Sequence, residues 1–278
     1  MSADELVASI EGAHKRVRPL VLVTPLIHSR VLSSRAGARV FLKCESEQVT
    51  GSFKLRGATN KIALADAAAR ERGFVTASTG NHGLAMATAL DALGIATGTI
   101  VLPTNAASGK VDLLRLFPSL ELMFHGDDCV VAETHARKLA DSLGKVFVSP
   151  YNDIEYVFFA CFIAAKPHSS IIAGQGTVAV ELLEQLPNVD VVFVTVGGGG
   201  LMSGIASYIK HKRPSCRVVG CLPAASPVMR ECVKEGRIVD IPSYDTLSDG
   251  SAGATQPFAR VSANTLCYLF QAALRKGP

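Results

Sequence analysis

The chain has 278 residues, of which 48% are apolar and 19% charged, so a disordered chain is excluded and a buried core is expected. Its net charge of +4 comes from scattered basic residues, which argues against a nucleic-acid partner. Seven cysteines without a CxxC pair are typical of reduced thiols, and the sequence contains no secretory signal and no apolar run that could span a membrane, so we expect a cytoplasmic protein.

The predicted elements alternate between helices and short apolar strands. An amphipathic helix over residues 3–16 precedes a strand at Ala38–Cys44 and a helix that begins near Ser52, whose hydroxyl can cap the first turn. From Phe74 onward, Val/Ile/Leu-rich strands alternate with helices, which favours parallel α/β layers. The later strands are Phe74–Ala77, Thr97–Leu102, Leu120–Phe124, Val146–Val148, Asp190–Val196 and Arg217–Cys221, and the later helices are Gly80–Leu93, Ala106–Phe117, Asp127–Ser142, 175–186 and 201–211.

Lys54 lies within the first turn of the helix that begins near Ser52, directly after Phe53. The positive end of a helix dipole opposes an added positive charge, so this position favours a less basic amine. Such an amine can form a Schiff base with an aldehyde cofactor. The alternative is an ordinary solvated surface lysine, which is what most lysines are.

The loop Ser78–Gly83 follows a predicted strand and opens a predicted helix. Its amides, its hydroxyls and the side chain of Asn81 can hold a carboxylate at the helix N-terminus. The alternative is an ordinary strand-to-helix turn with a serine or threonine cap. We assign no proton transfer to His82 from this pattern.

A second loop, Gly197–Leu201, also joins a strand to a helix. Four glycines let successive amides point at a tetrahedral anion without interference from side chains. The loop lacks the acidic residue of a dinucleotide fingerprint and the lysine of a Walker motif, so a cofactor phosphate is the favoured anion. A purely structural glycine turn is the alternative.

Together, the Lys54 segment and the two loops resemble the pyridoxal-phosphate enzymes of the tryptophan-synthase β-like fold, and most closely the threonine/serine dehydratase and serine racemase group. The likeness runs from about Thr24 to Gly253. It implies a two-lobed α/β fold with parallel three-layer sheets. Residues 1–71 and 151–278 would form the large cofactor-binding domain, and 72–150 the small domain.

The resemblance also implies roles for individual residues. Lys54 would form the Schiff base with pyridoxal phosphate and then act as the base at the substrate Cα, while Phe53 would pack on the pyridine ring. Asn81 would also reach the 3-oxygen of the cofactor. The substrate carboxylate would be held by Ser78, Thr79, Asn81 and His82, and the cofactor phosphate by the amides of Gly197, Gly198, Gly199, Gly200 and Leu201.

Thr79 bears on the type of reaction. Racemase-type relatives have a serine here that moves a second proton, and threonine keeps the hydroxyl but adds a methyl and a stiff χ1. We therefore expect a dehydratase that converts serine- or threonine-like amino acids to 2-keto acids and ammonia, with racemisation as the alternative. Leu222 occupies the position of a cation-binding glutamate in relatives, so no metal is expected. Relatives are commonly homodimers.

The sequence departs from the family pattern in two places. Residues 156–170 add an apolar run that relatives lack, which could be a buried element, a surface that binds a partner, or sequence from non-native splicing. Residues 254–278 do not match the family, which normally supplies a serine or cysteine there for the pyridine nitrogen. A truncated, non-catalytic variant is therefore a further alternative.

Overall fold

The computed structural model describes residues 3–151, 170–235, 237, 239, 241–244 and 246–251. They form two compact units. One includes the described residues within Met1–Ala13, Tyr151–Leu183 and Asn188–Pro278, and the other consists of His14–Pro150 and Glu184–Pro187. In this part of the chain, no helix combines the length and apolar character needed to cross a membrane. The division into a small domain at 72–150 and a large domain stays a prediction.

The N-terminal elements include a short pair of antiparallel strands connected through a helix, a unit that we call the hairpin. Helix α2 begins where the side chain of Ser29 accepts a hydrogen bond from the amide of Leu32, and it ends at Gly37, which has a φ of 62°. In the hairpin, Ile27 lies directly opposite Leu42. The elements are α1 (Ala3–Val17), β1 (Leu26–His28), α2 (Arg30–Ala36), β2 (Phe41–Lys43), α3 (Lys54–Ala63) and α4 (Ala67–Arg72).

A four-stranded parallel sheet follows, in the order β5-β4-β3-β6. Strands β3 and β4 are buried at every position, as expected when helices cover both faces of a parallel sheet. Small residues of α7, including Ala132 and Ala136, pack on Val75 and Phe147. The elements are β3 (Phe74–Ala77), α5 (Asn81–Ala92), β4 (Gly98–Leu102), α6 (Ser108–Arg115), β5 (Leu120–Phe124), α7 (Cys129–Leu143) and β6 (Val146–Phe147).

The later elements include a parallel strand pair and two helices that approach each other closely. A Cβ on Gly204 would lie 2.7 Å from the Cα of Gly176 and 2.6 Å from the carbonyl oxygen of Ile172, so only glycine allows this approach. Strands β7 and β8 pair in parallel. The elements are α8 (Ser170–Gln185), β7 (Val191–Thr195), α9 (Gly200–Lys212), β8 (Arg217–Cys221) and α10 (Val228–Glu235).

The structure confirms the alternating strands and helices expected from Phe74 to Cys221, with ends shifted by a few residues. The expected start of a helix at residue 175 is wrong, because α8 begins at Ser170. Gly176 lies inside this helix, where it allows the close approach of Gly204. The strand Ala38–Cys44 is shorter than expected, and β1, α2, α4 and α10 were not predicted. The inserted run up to residue 169 and the C-terminal segment from residue 252 lie outside the described residues.

Candidate active site

Lys54 is the first residue of α3, and Phe53 is the N-cap. The hydroxyl of Ser52 accepts a hydrogen bond from the Lys54 amide at 3.2 Å, so Ser52 does satisfy one amide of the first turn. The Nζ atom donates to the carbonyl oxygen of Pro150 and lies 5.6 Å from the centre of the Phe53 ring. The residue as a whole is only half-buried, but burial of its amine lowers the pKa of Lys54 from 10.5 to about 8. The amine can thus become neutral near physiological pH.

The loop Ser78–Gly83 leaves the N-terminus of α5 without a side-chain cap. Its N-cap is Gly80, whose amide hydrogen-bonds to the Ser78 hydroxyl at 3.2 Å. A Cβ on Gly83 would lie 2.6 Å from the carbonyl oxygen of Ser78, so the helix begins tightly against its own loop. A Cβ on Gly80 would meet nothing within 4 Å, which leaves open space beside the loop. Thr79 is half-buried and Asn81 is exposed at this helix end.

His82 is a buried, neutral histidine. It is 4% exposed, and its Nε2 lies 3.0 Å from the carbonyl oxygen of Val148, which also accepts from the Thr76 hydroxyl at 2.7 Å. A carbonyl cannot donate, so Nε2 carries the proton. Burial, with the charge of Lys54 as a second cause, lowers the pKa of His82 to about 3. A histidine in this state does not deliver a proton at neutral pH.

The loop Gly197–Gly200 connects β7 to α9. Gly199 has a φ of 84° and is the N-cap of α9, with no side-chain cap bond. A Cβ on Gly198 would lie 2.5 Å from the ring of Tyr151, and one on Gly200 would lie 2.2 Å from the Tyr151 carbonyl oxygen. The first-turn amides of α9 therefore have no side-chain cap, and an anion is the natural partner for such a helix end.

A buried ion pair supports the helix that carries Lys54, and the sequence analysis missed it. The Nε and Nη2 atoms of Arg56 each lie 2.8 Å from an oxygen of Glu45, and Glu45 also accepts from the Thr24 hydroxyl at 2.6 Å. The Arg56 side chain is fully buried and that of Glu45 is 14% exposed. The signal in the sequence was an arginine among small and apolar residues of a helix. Pro150 and Tyr151 were also missed, because neither the carbonyl of Pro150 nor a single aromatic residue such as Tyr151 gives a pattern in the sequence.

No metal site is evident in the described ranges, where no group of three or more His, Cys, Asp or Glu side chains is arranged to hold a metal ion. Leu222 is half-buried just after β8. Its aliphatic side chain offers no oxygen to a hard cation. The expected lack of a cation at this position stays a prediction.

These features fit pyridoxal phosphate. An aldehyde needs a neutral amine, which the lowered pKa of Lys54 provides. A phosphate needs amide donors without a competing cap, which α9 provides beside a loop that requires glycine at residues 198–200. A substrate carboxylate also needs amide donors without a side-chain cap. The N-terminus of α5 provides them, and the space beside Gly80 is open.

Comparisons with known proteins agree with this assignment. The sequence pattern of the pyridoxal-phosphate dependent enzymes matches residues 17–266. An L-threonine ammonia-lyase from Thermotoga maritima is 39% identical over 243 residues, which cover 87% of this chain and 56% of that protein. A serine racemase from Arabidopsis thaliana is 35% identical over 244 residues, which cover 88% of this chain and 69% of that protein. The chain thus spans only part of the length of each relative.

Solved structures agree as well. Maize serine racemase superposes with a TM-score of 0.81 at 32% identity, covering 93% of this chain and 73% of that one. The processed form of threonine deaminase isoform 2 from Solanum lycopersicum gives 0.80 at 30% identity, covering 95% and 73%. The expected fold and cofactor are both confirmed. The chain has the tryptophan-synthase β-like fold and belongs to the family of pyridoxal-phosphate dependent enzymes.

Proposed function

We propose that this chain is an ammonia-lyase that converts serine- or threonine-like β-hydroxy amino acids to 2-keto acids and ammonia. The observation that carries the proposal is Lys54, a buried amine with a pKa of about 8. It belongs to the same compact unit as the uncapped N-terminus of α5. A proton-accepting amine and a site for a carboxylate are what abstraction of a proton from an amino acid requires.

Each residue then has a definite task. Pyridoxal phosphate, when bound, supplies the electron sink that stabilises negative charge at the substrate Cα. Lys54 accepts the Cα proton and passes a proton to the β-hydroxyl, so that the Cβ–O bond breaks and the hydroxyl leaves as water. Phe53 packs beside the ring of the cofactor.

The two loops hold the ionised groups. The loop formed by Ser78, Thr79, Asn81 and His82 holds the substrate carboxylate. His82 contributes its backbone amide, because the one N–H of its neutral ring donates to Val148. Asn81 also contacts the cofactor. The amides of residues 197–201 hold the phosphate at the N-terminus of α9.

Racemisation at the same site is the second candidate. It is favoured by the half-buried hydroxyl of Thr79 at the N-terminus of α5, which could move a proton on the other face of the substrate. Relatives named serine racemase also match the chain along most of its length. The branched Thr79 side chain has fewer rotamers than serine, and this is why we place elimination first.

The test uses the purified chain with added pyridoxal phosphate and either L-serine or L-threonine. The proposal predicts formation of 2-keto acid and ammonia in equal amounts, lost in Lys54→Ala. Dominant D-serine from L-serine would establish the racemase instead. If no product forms although the cofactor binds, the chain is the non-catalytic variant considered from its sequence.

We also propose that two copies of the chain associate in the cytoplasm. The location rests on composition alone, whereas the association has structural support. In the hairpin, Ile27 and Leu42 are directly opposed and both exposed, and α2 buries none of its residues. We call this surface the hairpin patch. Its exposed apolar residues, each 37–64% exposed, are Leu22, Val23, Ile27, Val31, Leu32, Leu42 and Val49.

A second copy of the chain suits the hairpin patch in area and charge. A standard interface buries about 800 Å² on each partner, and slightly more than half of it is apolar, which seven half-exposed aliphatic side chains can supply. Arg39 and Glu47 are exposed and lie beyond opposite ends of β2. A two-fold axis through the patch would bring the basic end of one copy to the acidic end of the other.

A further inference from the structure

The glycine loop 197–200 is shaped by Tyr151. A Cβ on Gly198 would lie 2.5 Å from Cδ1, 2.9 Å from Cγ and 3.0 Å from Cβ of Tyr151. A Cβ on Gly200 would lie 2.2 Å from the Tyr151 carbonyl oxygen. Packed atoms do not approach so closely, so the lack of a side chain at these two positions is needed because Tyr151 occupies the space.

The other two glycines have different reasons. Gly199 has a φ of 84°, in the left-handed region that favours glycine. A Cβ on Gly197 would be in ordinary contact with Ser251, at 3.5 Å from its Cα. From the sequence, the four glycines are attributed to a bound anion, with a purely structural turn as the alternative. The structure instead assigns two of them to contact with Tyr151 and one to the backbone turn.

We propose that Tyr151 is a positioning residue for the anion-binding loop, an inference that rests on the proposed function. The flat ring lies against the backbone at Gly198 and limits the directions that the peptide groups on either side of this glycine can take. A loop of four glycines would otherwise have unusual backbone freedom, which it would lose on binding the phosphate. Tyr151 reduces that loss by holding the loop near its bound conformation beforehand.

A comparison of two ligands isolates this role. Pyridoxal has the aldehyde and ring of pyridoxal phosphate but lacks the phosphate, so the ratio of the two dissociation constants reports on the phosphate loop. We expect Tyr151→Ala to weaken binding of pyridoxal phosphate about tenfold while leaving that of pyridoxal unchanged. Tyr151→Phe is the matched control and should keep the wild-type ratio, because ring carbons make the contact with Gly198. Absorbance titration of the protein measures both constants.

Other outcomes are decisive too. If Tyr151→Ala leaves the ratio of the two dissociation constants unchanged, whether both affinities fall equally or neither falls, the positioning role is overturned. A wild-type protein that binds pyridoxal as tightly as pyridoxal phosphate would overturn the phosphate loop itself, and with it the proposed function. If thermal denaturation shows that Tyr151→Ala is unfolded, Tyr151→Leu replaces it, since leucine keeps bulk at Gly198 but lacks the flat ring. Weaker binding of pyridoxal phosphate alone in this variant would support the positioning role, and a wild-type ratio of the two dissociation constants would overturn it.

Discussion

Lys54 and His82 bind carbonyl oxygens only two residues apart in the segment that follows β6. The amine of Lys54 donates to Pro150, and Nε2 of His82 donates to Val148 at 3.0 Å. Burial lowers the pKa of both side chains, to about 8 for Lys54 and about 3 for His82. Burial is the cause of the pKa shift at Lys54 and the main cause at His82, where the bond to Val148 acts the other way and raises the pKa.

His82 should make the protein sensitive to acid. Its pKa is about 6.5 in the unfolded chain and about 3 in the folded protein, so between these values only the unfolded state takes up the proton. Stability due to neutral His82 is complete above pH 6.5 and falls by on the order of 4 kcal/mol as the pH approaches 3. Urea denaturation of wild type and His82→Gln, whose amide can still donate to Val148, measures the effect. As the pH falls below 6.5, the free energy of unfolding should decrease more in the wild type than in His82→Gln. If the two proteins lose stability in parallel with pH, His82 is not the cause.

Gly83 and Gly80 should respond differently to the same substitution. Gly83→Ala places a methyl 2.6 Å from the carbonyl oxygen of Ser78, so we expect a loss of about 1–3 kcal/mol in the free energy of unfolding. Gly80→Ala places its methyl in open space and should change stability by less than about 0.5 kcal/mol. Because that space would belong to the substrate, Gly80→Ala should instead raise KM. Denaturation and steady-state kinetics of both variants check the contrast, and a large stability loss in Gly80→Ala would refute it.

The ion pair of Arg56 and Glu45 should be costly to break from one side. Glu45→Leu leaves the fully buried guanidinium without its carboxylate, and we expect it to destabilise the protein by about 3–5 kcal/mol. The double variant Glu45→Leu/Arg56→Met removes both charges and should recover much of this loss. Chemical denaturation of the two single variants and the double variant gives the coupling energy. Additive effects in this cycle would show that the pair does not act as a unit.

The hairpin patch should control association between copies. Ile27→Glu places a charge directly opposite Leu42 within the patch, so we expect the dimer to dissociate without unfolding. Leu116→Glu is a matched control, because Leu116 is 73% exposed and lies outside the patch. Sedimentation over a range of concentrations measures the mass of each variant. A wild-type protein that remains monomeric, or a control that dissociates equally, would exclude this interface.

The sequence predicted those parts of the fold that have a periodic signal. The alternation of apolar strands and helices identified β3 to β8, and the two strand-to-helix glycine loops located the uncapped N-termini of α5 and α9. Contacts made by the backbone could not be predicted in this way, since any residue type has a carbonyl. The acceptors at Val148 and Pro150 and the close approach of the Tyr151 carbonyl to Gly200 are of this kind. Short elements such as α4 were also not predicted, because six residues are too few to show a helical period of apolar residues.

The central claim is that Lys54 is the residue that bonds to pyridoxal phosphate, and the most direct test is to locate the bond. The protein is mixed with the cofactor, reduced with borohydride, digested and analysed by peptide mass spectrometry. We predict the cofactor mass on Lys54, attached at a rate that rises with pH and levels off above about 8, because the neutral amine reacts. The label should vanish in Lys54→Ala and persist in Lys61→Ala, a lysine of the same helix. Labelling spread over several lysines, without preference for Lys54, would contradict the account.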